Sequence, residues 1–257
     1  MTPFIQHHNH DFFKAACQNV KSTKAAYNLL HNEINKLITK KPLNNGSLDF
    51  EILSKIKLLT KLAIPVYTAY SEAIFLKLIY TPCGFTKQEI DQIFTIQKRQ
   101  SIIQAWKEAL IISTRKSIGK KSNFLPNSRK KIEQIINRYL QEPSELRNKI
   151  AHGQWVCTFN KHNNALTHET SVKIEKITIV DIDIWISAFT TLGELLFLAN
   201  QSPLKGYSEQ YWNKITKIEQ ELEKKCSWSF DQKVQRMHAK HAKKDQYIAL
   251  NASQKVV

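Results

Sequence analysis

The chain has 257 residues, room for one large domain or one domain with an extension, and carries a net charge of +16 with a pI near 9.6. That charge makes a polyanion the leading partner, nucleic acid first and an anionic membrane surface second, because phosphate attraction and counterion release reward clustered Lys and Arg. Cys17, Cys83, Cys157 and Cys226 form no C-x-x-C pair, and the few glycines form no G-x-G-x-x-G or G-K-[ST] loop; zinc fingers, disulfide frameworks, dinucleotide folds and P-loops are thereby disfavoured.

Helical periodicity dominates the chain from the start. Residues 11–40 read as a first helix, with Ala15, Tyr27, Leu30, Ile34 and Leu37 among its apolar positions, and Pro42 to Ser47 reads as a loop. A second helix is predicted from Asp49 to Tyr80, apolar almost all round after Leu58 and therefore central, with Pro65 either kinking or dividing it. Thr81-Pro82-Cys83-Gly84 ends it, and a third helix follows from Lys87 to Ser117. Ser128 to Leu140 is a fourth, which Glu142-Pro143 is expected to break. Ser144 as N-cap and Gly153 as the residue after the C-cap would frame a short helix of its own.

The strand signal comes next. Trp155 to Phe159 and Val172 to Ile179 are β-branched and aromatic and are joined by a polar stretch, which predicts a β-hairpin over 155–179. Asp181 then caps a helix with Ile182, Trp185, Phe189, Leu192, Leu196 and Ala199 on one stripe. Ser208 to Lys225 is amphipathic through Tyr211, Ile215, Ile218 and Leu222. The expected architecture is an all-α domain over residues 1–230 with one inserted hairpin, followed by a basic C-terminal tail over 231–257.

The densest chemistry lies in Ser144 to Trp155, where Arg147, Asn148 and His152 form an Arg-Asn-x-x-x-His array. Arg supplies a planar fork of donors and keeps its charge; His, with an ordinary pKa of about 6.5, exchanges a proton near neutrality. Together they can break a phosphodiester without a metal. On an ideal helix Asn148 and His152 share a face, whereas Arg147 lies roughly 140° from His152. One helix alone makes a poor closed site, so two copies facing each other are expected to complete it. The macrodipole at the end of the helix favours protonated His152, and a nearby Arg147 opposes that.

The array, the Ala-His-Gly ending and the all-α frame resemble the Arg-x4-His motif of the HEPN superfamily (higher eukaryotes and prokaryotes nucleotide-binding). The resemblance covers residues 49–200 in pattern and Arg147 to Gly153 at motif level. It implies a HEPN-like helical bundle and a metal-independent endoribonuclease acting as a toxin, anti-phage effector or RNA-processing factor. In that reading a 2′-hydroxyl attacks the adjacent phosphate. His152 serves as base or acid, Arg147 steadies the phosphorane, and Asn148 orients His152 or the phosphate. No cofactor is implied. The expected partners are RNA, a second copy of the chain, and an antitoxin or defence-system protein. A catalytically silent HEPN module that binds RNA, a nucleotide or a protein is the rival; a DNA-binding regulator has no helix-turn-helix signature behind it. HEPN toxins paired with a minimal nucleotidyltransferase carry a Tyr two residues after the His; Gln154 stands there, so that form of control is not supported.

Arg115, Lys116, Lys120, Lys121, Arg129, Lys130 and Lys131 lie within seventeen residues free of acid and are expected to contact the RNA backbone. Lys233, Arg236, His238, Lys240, His241, Lys243 and Lys244 form a second basic stretch, read as a tail or frayed helix. Glu72 is the one carboxylate between Leu58 and Tyr80; it either points to solvent or pairs with a buried cation, Arg147 being the attractive partner. His7, His8 and His10 with Asp11, and His238 with His241, lack a well-placed further ligand and are not read as metal sites. Trp106, Trp155, Trp185 and Trp212 occupy core-like positions. With no signal peptide apparent and no uninterrupted apolar run near the roughly 18 residues of a membrane span, a soluble cytoplasmic protein without a membrane partner is expected.

Overall fold

A computed structural model describes residues 3–40, 47–117, 124–201 and 206–253. Among these the fold is all-α. In chain order the helices are α1 (Pro3–Ile38), α2 (Phe50–Ile79), α3 (Lys87–Arg99), α4 (Ile102–Ser117) and α5 (Phe124–Ile136). One π-helical turn, Asn137–Gln141, then leads into α6 (Glu142–Ala151), α7 (His168–Lys176), α8 (Ile179–Gln201), α9 (Gly206–Cys226) and α10 (Phe230–Ser253).

The second helix is central, as its apolar sequence predicts. It starts at the Asp49 N-cap, whose carboxylate accepts from the Glu51 N–H, and runs unbroken through Pro65. It packs against α1, α6 and α8. Tyr67 and Tyr70 meet Phe189 of α8 edge-on, with centroids 5.3 and 5.2 Å apart, and Phe75 meets Trp106 of α4 at 5.0 Å. Gly193 lets α8 approach α2 closely: a Cβ there would lie 3.3 Å from the Ile74 methyl. Both α2 and α8 hold 18-residue stretches apolar enough to cross a membrane by length and composition, and about half of each stretch is buried within the bundle.

Three expectations are corrected. The helix predicted over 87–117 is two helices: Gln100 leaves helical geometry and Ser101 recaps the chain, its hydroxyl accepting from the Gln104 N–H. Glu142-Pro143 does not break the chain, and Ser144 is not an N-cap. The π turn carries α5 straight into α6, and Pro143 sits in the first turn of α6, where a missing N–H is tolerated. In an α-helix the Tyr139 carbonyl would accept from residue 143, which has no N–H; the Tyr67 hydroxyl donates to it instead at 2.6 Å.

The hairpin over 155–179 does not form. Among the described residues there is no strand, only an isolated bridge between Phe159 and Leu166. The would-be second strand is α7. Ile174 is fully buried by it, while Lys173 pairs with Glu169 one turn back and with Glu142 of α6. Its β-branched content fits a strand, but Lys173 pairs with Glu169 four residues back, as on a helix, and Glu175 pairs with Lys57 and Lys61 of α2. Residues 231–253, read from sequence as a tail or frayed helix, form most of α10. Phe230, Val234 and Met237 make a sparse apolar stripe at helical spacing, and Val234 is buried.

Candidate functional site

Leu146 and Ile150 face inward from α6 and are buried, which turns Arg147, Asn148 and the helix end outward. The helix closes in a Schellman motif. His152 is the C-cap, Gly153 takes a positive φ of 77°, its N–H bonds the Ile150 carbonyl at 3.0 Å, and the Gln154 N–H bonds the Lys149 carbonyl at 2.9 Å. The Gly153 expectation thus holds at the one place where the left-handed backbone requires it.

The chain after His152 is pinned to the bundle. The Trp155 indole N–H donates to the Ile150 carbonyl at 2.9 Å, and Lys61 of α2 donates to the Trp155 carbonyl at 2.9 Å. Lys61 and Lys57 both pair with Glu175 of α7, which holds that carboxyl below its usual range, chiefly through the Lys57 hydrogen bond. Further along, buried Thr158 bonds the Thr167 carbonyl and Ser171, and Lys149 donates to the Phe159 carbonyl. The segment that was expected to be a hairpin is therefore a braced loop and helix against the end of α6.

Arg147 is held from two sides. One arm of its guanidinium, Nη2, donates to Glu72 Oε1 at 3.0 Å and the other, Nη1, to Asn148 Oδ1 at 3.1 Å. Of the two places considered for Glu72, the structure gives the pairing with Arg147, across the α2–α6 contact and with both side chains about a third exposed. Asn148 turns its oxygen to Arg147 and not to His152. The His152 ring is exposed and makes no hydrogen bond or ion pair among the described residues. One chain thus assembles Arg147, Asn148 and Glu72 and leaves His152 beside them on open surface. None of the three motif residues lines the main clefts; Leu146, on the opposite face of α6, lines one.

The basic run divides. Lys116 bonds Glu89 at 2.6 Å and the Gly84 carbonyl at 2.9 Å, and lies over the Phe85 ring. Arg129 bonds Thr114 Oγ1 at 2.9 Å and the Ile111 carbonyl, tying α5 to α4, and Lys131 pairs with Glu219 of α9. These three cations are engaged in holding the fold. Arg115 and Lys130 are exposed, whereas Lys120 and Lys121 lie outside the described residues. The second basic stretch also contributes to packing, since Lys233 pairs with Asp183 at 2.7 Å and His238 Nε2 meets the Ile38 carbonyl. Among the described residues no three His, Cys, Asp or Glu side chains converge on a metal-sized site.

Sequence reasoning missed Lys61, Tyr67 and the cluster around Asp183. Lys61 was detectable as a cation inside an apolar helical run. Asp183 and its partners are scattered over three helices, and no spacing signals them. No family model, no curated protein and no solved structure matches the chain.

Proposed function

We propose that this chain is a HEPN-type, metal-independent endoribonuclease that works as a homodimer, in the role of a bacterial toxin or anti-phage effector. The observation that carries the reading is the fixed, outward-facing guanidinium of Arg147, clamped by Glu72 and Asn148 beside an exposed His152. A cation held in place before substrate arrives stabilises developing phosphorane charge without reorganising during the reaction. The open position of the array favours completion by a second copy, whose own Arg147 and His152 would face the same phosphate.

In the proposed reaction one His152 takes the proton of the 2′-hydroxyl as its oxygen bonds the adjacent phosphorus. The bond from phosphorus to the 5′-oxygen breaks, and the second protomer's His152 delivers a proton to that leaving oxygen. The products are a 2′,3′-cyclic phosphate and a 5′-hydroxyl. Exposed Arg115 and Lys130, with Lys120 and Lys121, are the proposed RNA-backbone contacts; Lys116, Arg129 and Lys131 contribute mainly by holding the surface that presents them.

A second reading, a catalytically silent module of the same fold that binds RNA, a nucleotide or a partner protein, draws support from the Arg147–Glu72 pair, which offsets charge at the array. Purified wild type should cleave RNA in excess EDTA and leave cyclic phosphate ends. His152→Ala and Arg147→Ala should each abolish this while the protein stays folded. Full cleavage by either mutant, or a reaction that EDTA stops and Mg²⁺ restores, would refute the ribonuclease reading; absence of cleavage with retained RNA binding would select the silent module.

A further inference from the structure

Away from the α6 surface, a cleft of about 870 Å³ opens between α8, the end of α9 and α10, with α1 at its base. The volume falls in the range of small-ligand sites, roughly 300–1,000 Å³. Its walls are mainly apolar: Val180, Ile184 and Ile186 of α8 face Met237 of α10 and Trp228 from the α9–α10 turn. Filling such a cleft removes apolar surface from water, which is the main driving force for small-molecule capture.

The polar groups of the cleft fall into two sets. At its base Asp183 receives Tyr27 Oη at 2.5 Å, Lys233 Nζ at 2.7 Å and His31 Nε2 at 3.3 Å. Burial pushes the Asp183 carboxyl up, but His31, Lys233 and Tyr27 outweigh it and hold it at about 2. The other ring nitrogen of His31 faces Asn35 at 3.1 Å. Both ring nitrogens have partners, which fixes the orientation of His31 between Asp183 and Asn35. Asp183 and Lys233 balance each other in charge, while the buried Asn35 Oδ1 has no hydrogen-bond partner among the described residues.

The second set is not balanced. Lys224 and Arg236 line the cleft, are exposed, and have no carboxylate partner among the described residues. Arg236 lies over the Trp228 ring with its guanidinium carbon 4.8 Å from the ring centre. This cation–π contact engages no carboxylate, and Arg has five N–H donors with which to meet an anion. Apolar walls and two unmatched cations define the complementary ligand. We propose that this cleft binds a small amphipathic anion, with its apolar body along Ile184, Ile186 and Met237 and its carboxylate or similar headgroup between Lys224 and Arg236.

The test is titration calorimetry of the full chain with dodecanoate kept below its micelle concentration, beside uncharged and trimethylammonium analogues of equal chain length. Dodecanoate should bind saturably at one per chain and at least about tenfold more tightly than either analogue. The double variant Lys224→Glu/Arg236→Glu changes two exposed side chains and should weaken dodecanoate at least about tenfold while the helical circular dichroism spectrum is retained. Thr190→Trp, which fills the cleft from α8, should abolish binding of every analogue. Equal affinity for the cationic analogue, unchanged binding in the charge-reversed variant, or no saturable binding would overturn the proposal. So would co-sedimentation with phosphatidylglycerol vesicles in the absence of dodecanoate binding, which would assign the cations to a lipid surface.

Discussion

Replacing Tyr67 by Phe removes one atom from the core and tests how the motif helix is built into the bundle. The Tyr67 hydroxyl is the donor to the Tyr139 carbonyl, at 2.6 Å, and full burial pushes its pKa up and keeps it a donor at any working pH. Phe retains the ring contacts with Trp185 and Phe189, so packing is preserved. The Tyr139 carbonyl then loses its partner, and Pro143, which would otherwise face it, offers none. Leaving a buried acceptor unsatisfied costs about 1–3 kcal/mol. In a chain of this size that lowers the midpoint of thermal unfolding by roughly 2–4 °C per kcal/mol. Circular dichroism melts should therefore show a fall of roughly 2–12 °C, and urea titrations a lower midpoint. Adding Pro143→Ala restores an N–H at the required position, so the double mutant should recover part of the loss, a coupling that a double-mutant cycle measures directly. An unchanged midpoint in Tyr67→Phe, or strict additivity with Pro143→Ala, would refute this account of the π turn.

Asp183, held at about 2 against an ordinary 3.8, contributes stability that is complete above about 3.8 and lost as pH falls toward 2. Asp183→Asn should lower stability at neutral pH and flatten the acid limb between those values in pH-dependent urea melts; an unchanged acid limb would contradict the assignment. Arg129→Ala should cost about 1–3 kcal/mol by removing the bonds that join α5 to α4. Lys130→Ala should leave stability unchanged and reduce RNA affinity and its salt slope, and the two effects exchanged between the mutants would overturn the division of the basic run. Glu72→Gln should alter stability by only ~0–1 kcal/mol, because the pair is partly exposed, yet lower kcat through a loosened Arg147 while KM falls with the lost negative charge; an undiminished kcat would remove Glu72 from a positioning role.

Much of the helical frame was legible because long apolar periodicities leave few alternatives. The later half of α2, the stripe of α8 and the Gly153 terminus all follow from local spacing. The failures share a cause: each depended on a tertiary partner. Pro143 reads as a breaker until Tyr67 is found bonded to the carbonyl it strands. Val172 to Ile179 reads as a strand from its β-branched residues until Glu142 and Lys57 are found beside it, pairing with Lys173 and Glu175. The acid-free run reads as one basic face until Glu89, Thr114 and Glu219 engage three of its members. At the candidate site the Glu72–Arg147 pairing was open to inference, since a carboxylate in an apolar helix needs a cation. The turn of Asn148 toward Arg147 was not, because two neighbours on one helix can each bond several groups.

The division of labour along α6 gives the functional question its clearest handle. Leu146 and Ile150 carry the burial, while Trp155, Lys61 and the Schellman turn fix the end of the helix from within the protein. Arg147, Asn148 and His152 stand on the other face and contribute little to that scaffold; their strongest tie is a partly exposed ion pair, of a class worth about 0–1 kcal/mol. Substituting them should therefore leave the fold intact, so that a change in the proposed RNA cleavage would report on the chemistry of the array. The reverse holds for Tyr67 and Lys61, whose removal disturbs the support first and the surface only as a consequence. Arg147 and Asn148 have a structural tie through Glu72, whereas the exposed His152 side chain has none among the described residues, so His152 is the member of the array whose place beside them argues most directly for the proposed ligand.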